Sequence, residues 1–181
     1  MTVYRKVPFD AIYKAWHIPE RNNNDYYCCD LITDLLSGGK SSRLYQVLVK
    51  EKKMFSEINA YVTGDIDAGL LIIGGRVMDG VTIEVADNAI IDVIKNLKNV
   101  KVEQRELKKV QNRFETTILQ GHSNILNKAM GLSYYEMIGD ADLLNIEITK
   151  YCSFVPEEIS HISNLIFKDT NCSTLYYLSE K

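Results

Sequence analysis

The chain has 181 residues, of which 46% are apolar and 25% charged, with a formal net charge of −3. That length and balance fit one soluble domain with its own core over residues 1–181. With 21 Lys and Arg against 24 Asp and Glu there is no basic footprint for nucleic acid, and the longest apolar run, Leu70–Ile73, is far too short for membrane insertion.

The chain opens on Val3-Tyr4-Arg5-Lys6 without a charged-then-apolar leader, as expected of a segment cut from a longer protein. The compartment, cytoplasm or periplasm, stays open. Ala11–Trp16 alternates small and large residues like a strand, and Pro19–Asp25 is a polar connection. Tyr26–Leu36 places Cys28 or Cys29, Ile32 and Leu35/Leu36 at helical spacing and is stopped by Gly38-Gly39. A second helix, Ser42–Glu51, is opened by serines and carries Leu44, Val47 and Leu48. Phe55–Thr63 alternates, with Ile58, Ala60 and Val62 on one side and Glu57, Asn59 and Tyr61 on the other. After a turn at Gly64-Asp65-Ile66-Asp67, Gly69–Val77 is nearly all apolar. The two runs predict an antiparallel pair whose first strand is half exposed and whose second is more deeply buried.

Asp79-Gly80 turns the chain into a helix over Thr82–Leu97, with Ile83, Ile90, Ile94 and Leu97 facing inward. From Glu103 to Ile138, Leu107, Val110, Phe114, Ile118, Ile125, Ala129 and Leu132 form one apolar stripe. That is too long for a single helix of a small domain, and Gly121 and Gly131 are the expected places for a bend or break. Asp140 is a cap for a short helix reaching Lys150. Pro156, followed by Glu157 and Glu158, opens another to about Phe167, and Ser173–Leu178 is a closing strand. The fold class predicted is α+β, a mostly antiparallel sheet with helices packed on one face. No G-x-G-x-x-G fingerprint supports a dinucleotide fold.

Chemistry is harder to find. Gly39-Lys40-Ser41 resembles the end of a phosphate loop, but Asp34 stands where its first glycine is required, and a helix precedes it rather than a strand. Cys28, Cys29, Cys152 and Cys172 have no paired spacing and read as free thiols, the first two buried on different faces of a helix. His17 is followed by Pro19, which breaks i,i+4 geometry, and position 21 is Arg; His122 and His161 each stand alone on helices. Asp65 and Asp67 read as turn formers. The residues by themselves offer no catalytic group and no metal site.

The series Asp25-Tyr26-Tyr27 … Leu35-Leu36-Ser37-Gly38-Gly39-Lys40-Ser41-Ser42-Arg43-Leu44-Tyr45 … Leu48-Val49-Lys50-Glu51-Lys52 resembles the second-domain signature of the insulinase/pitrilysin-type zinc metallopeptidases, which include processing peptidases. The order of elements downstream is similar over essentially the whole chain. The resemblance implies one domain of a clamshell half, excised from a longer two-domain or four-domain protein. Its partners would be an N-terminal-type domain of the same chain, a partner half or subunit, and an unfolded peptide substrate. In that family zinc sits in the first domain on an H-x-x-E-H helix. No two histidines here stand four positions apart, so zinc is expected in a missing N-terminal-type domain and no cofactor in this chain.

Catalytic relatives carry an Arg and a Tyr that reach the substrate, and those positions fall on Val49 and Ser56, neither of which can make the same hydrogen bonds. Gly38, Gly39, Ser41, Ser42 and Arg43 are read as structural. The resemblance thus implies a non-catalytic domain that helps enclose a peptide, with this chain alone inactive. Two alternatives stand beside it: a structural or assembly subunit of the same fold, and an unrelated α+β binding module.

Overall fold

Five strands form one sheet in the computed structural model, which describes residues 1–64 and 66–180. They are β1 (Thr2–Arg5), β2 (Ala11–Ile18), β3 (Phe55–Val62), β4 (Gly69–Val77) and β5 (Cys172–Ser179), in spatial order β1-β5-β2-β4-β3. The β1–β5 pair is parallel and the other three are antiparallel. The closing strand slots between β1 and β2. The sequence reading missed β1, a four-residue strand whose partner is more than 170 residues away: Thr2 pairs with Tyr176 and Arg5 with Ser179. Asp65, expected in the β3–β4 turn, lies outside the described residues.

Six α-helices pack on one face of the sheet: α1 (Asn24–Ser37), α2 (Ile83–Asn99), α3 (Gln104–His122), α4 (Ile125–Met137), α5 (Leu143–Ser153) and α6 (Pro156–Ile166). Asn23 caps α1, its side chain accepting from the Asp25 amide at 2.9 Å. α1 is the central helix, burying nine residues on both of its sides, from Tyr26 to Leu36. Cys28 and Cys29 therefore both lie inside although they point apart, and both are free thiols. Pro156 opens α6, and the Glu158 carboxylate accepts from the Val155 amide at 2.9 Å. Ile12, Trp16, Leu71, Ile73, Phe55 and Ile58 supply the core from the sheet. Gly75 makes room for Phe55, whose ring a Cβ there would meet at 2.7 Å. Trp16 meets Phe167 edge-on at 5.0 Å.

A charged cluster ties the sheet to α2 within this core. The Lys14 ammonium, 5% exposed, lies 2.8 Å from Asp87 and 3.1 Å from the Thr174 hydroxyl, and the Tyr176 hydroxyl donates to the other Asp87 oxygen at 2.8 Å. Both charges leave water only because each is paired and hydrogen-bonded.

The helices depart from the expected pattern in detail. The serine-opened helix starts at Arg43 and winds as a π-helix over Tyr45–Glu51, the Lys52 amide donating to Val47 at 2.9 Å across five residues. The long helical block breaks at Ser123–Asn124, just after Gly121, because Asn124 caps a new helix by accepting from Leu126 and Asn127 at 2.9 and 3.2 Å. Gly131 does not break α4; a Cβ there would meet Leu144 of α5 at 2.9 Å, so the glycine lets the two helices approach. The inward stripe also ends early. Leu107 and Val110 are buried and Phe114 and Ile118 partly so, but Ala129 and Leu132 are exposed and Ile125 is 87% exposed. Periodicity marks an apolar face, but α3 and α5 meet α4 on another side and leave these residues uncovered among the described elements.

Candidate functional site

The glycine corner comes together as a junction of four elements. The Gly38 amide returns to Asp34 at 2.7 Å, and a Cβ on Gly38 would sit 2.4 Å from the Asp34 carbonyl. Gly39 has φ +114°, a conformation open to glycine and strained for other residues. Ser42 closes the turn, its hydroxyl donating to the Gly39 carbonyl at 2.6 Å. Arg43 makes a fork to Glu106 of α3 at 2.9 and 2.7 Å and reaches Asn96 of α2 at 3.1 Å. Lys109 donates to the Ser41 hydroxyl at 2.6 Å, and Arg113 pairs with Asp34 at 3.1 Å and donates to the Gly38 carbonyl. Ser37 serves the free edge of β3, its hydroxyl accepting from the Ala60 amide and donating to the Ala60 carbonyl, both at 2.8 Å. That closes part of an exposed strand edge. Asp34, Ser37, Ser41, Ser42 and Arg43 thus each have a protein partner, while the Lys40 side chain is exposed.

Val49 and Ser56, the positions where the resemblance implies an Arg and a Tyr in catalytic relatives, are placed apart in character. Val49 lies in the π-helical segment and packs against the core. Ser56 is exposed at a bulge of β3, its hydroxyl 3.4 Å from the Arg76 carbonyl.

No helix covers the other face of the sheet. There three cross-strand rows run side by side: Leu175–Tyr13–Gly74–Asn59, Tyr177–Ala11–Arg76–Glu57, and Ser173–Ala15–Ile72–Tyr61. Gly74 is at the centre. Beside it is a shallow depression of about 180 Å³ walled by Tyr13, Tyr61, Asn59, Glu57 and Arg76. A Cβ on Gly74 would press the Tyr13 ring at 3.0 Å, so glycine lets that ring lie across the strand. Tyr13 and Tyr61 are 44% and 50% exposed, and Arg76 and Glu57 form a loose, solvated pair at 3.9 Å. Sequence reading put Glu57, Asn59 and Tyr61 on one outward side but did not find the depression. The available signal was a glycine pair inside an otherwise apolar strand.

Metal and thiol chemistry find little support. His17 is on β2, His122 at the end of α3 and His161 on α6, and among the described residues no three His, Cys, Asp or Glu side chains converge to hold a metal ion. The donor set of a zinc centre does not fit these residues. Burial pushes the Cys28 thiol up and the Cys29 thiol up to about 12, so neither is a thiolate at neutral pH. Among the described residues no helix is long and apolar enough to cross a membrane.

Residues 2–114 match the family model described as the peptidase M16 inactive domain. The chain is 23% identical over 174 residues to the zinc protease PqqE of Helicobacter pylori, covering 92% of this chain and 39% of that protein. A solved protease from Helicobacter pylori superposes with a TM-score of 0.91 at 20% identity, over 98% of this chain and 43% of that one. An inactive peptidase domain from Bordetella parapertussis superposes at 0.86 with 19% identity, over 97% and 96% of the two chains. At these identities the solved structures speak for the fold. The chain thus spans about two fifths of the length of its Helicobacter relatives.

Proposed function

This chain belongs to the peptidase M16 inactive-domain family, and on that premise we propose that it is a non-catalytic wall of a peptide chamber in a zinc endopeptidase. Membership removes the reading as an unrelated binding module. In the proposed assembly this is a single domain of a longer protein. The metal, the general base and the oxyanion donor lie in an N-terminal-type domain, and a partner half closes over an unfolded peptide. The observation that carries the reading is the asymmetry of the sheet: one face is filled by helices, while the other presents tyrosines, an Arg–Glu pair and a glycine-centred depression to open space. Val49 and Ser56 would take no direct part, since neither carries a charge or a phenol toward a peptide carbonyl.

The test uses the full-length gene product in a Cys152→Ser/Cys172→Ser background. Ser173→Cys, on the bare face, and Val85→Cys, on the outer side of α2, are each capped with a bulky maleimide. Capping at 173 should slow cleavage of an unfolded peptide by at least about tenfold, a barrier change of about 1.4 kcal/mol. Capping at 85 should leave the rate as it was. Equal effects at both positions would defeat the reading. A full-length product that cleaves nothing yet purifies in a stoichiometric complex would favour the assembly role.

A further inference from the structure

We draw no further inference here: the strongest candidate, the exposed apolar face of α4 formed by Ile125, Leu126, Met130 and Met137, carries nothing because nothing in the structure shows what covers it, in a chain that spans about two fifths of the length of its Helicobacter relatives.

Discussion

The two faces of the sheet share strands but not physics. On β2, Ile12, Lys14, Trp16 and Ile18 point under the helices, while Tyr13, Ala15 and His17 alternate to the bare side. On β4 adjacent glycines divide the labour: Gly75 accommodates Phe55 in the core, and Gly74 lets the Tyr13 ring lie across the strand opposite. The covered face is close-packed and even its charges are paired. The bare face keeps half-exposed rings and an ion pair left in water. Close packing fixes the fold, and a surface left unfilled is what a partner or peptide can use.

The sharpest way to break that contrast is to truncate one residue of the covered face. Trp16→Ala removes a 3%-exposed ring and its edge contact with Phe167, and should cost about 4 kcal/mol in urea-unfolding experiments. A loss below about 1 kcal/mol would mean the covered face is no better packed than the bare one. Lys14→Met comes next, at about 3 kcal/mol, because it strands the Asp87 carboxylate with Tyr176 as its remaining partner. Lys14→Met/Asp87→Leu should recover most of that loss, since the penalty lies in the unpaired charge. If the double variant is as unstable as the single, the pair is not what holds β2 to α2.

Much of this architecture was legible because periodicity is local. Alternation in Ala11–Trp16 and Phe55–Thr63, and helical spacing from Tyr26 onward, marked four of the five strands and every helix. What stayed hidden depends on distant partners. β1 is too short and polar to announce itself, and only β5 makes it a strand. The stripe on α4 correctly predicted a helix but not its burial, since a moment shows direction and not what occupies it. π-Winding of Tyr45–Glu51 left no mark in spacing. For the site, Gly38-Gly39 and the serines were visible as a corner, whereas the ties from Arg43 to Glu106, Lys109 to Ser41 and Arg113 to Asp34 join residues far apart in sequence. The depression at Gly74 required the registers of three strands.

The corner allows an intermediate test, because it belongs to the covered side yet sits near water. Arg43→Ala leaves Glu106 and Asn96 without their fork, but Glu106 keeps some access to solvent, so the expected cost is about 2 kcal/mol. Arg43→Lys should recover only part of it, having no bidentate geometry. Full rescue by lysine would show that charge alone ties the corner to α3.

Behind the covered face, Asp30 gives a smaller, pH-dependent effect. Burial raises its carboxyl above the ordinary value, opposed by the hydrogen bond it accepts from the Tyr151 hydroxyl at 2.7 Å. A carboxyl raised on folding binds its proton more tightly in the native state. Its contribution is therefore full below the unfolded carboxylate value and is lost as pH rises through the folded one. Asp30→Asn should flatten the stability profile across that window. A wild-type profile that instead rises with pH there, by an amount the substitution removes, would mean Asp30 is stabilised as the anion.

The smallest expected change in stability is on the bare face, and it sharpens the comparison most. Tyr61 is half exposed and touches open space where Trp16 touches core, so Tyr61→Ala should shift stability by less than about 0.5 kcal/mol. A shift that small would place the ring outside the core, on a face that the packing of this domain does not need. A ring whose loss destabilises the chain as Trp16→Ala does would show that both faces are core, and the asymmetry on which the functional reading rests would disappear.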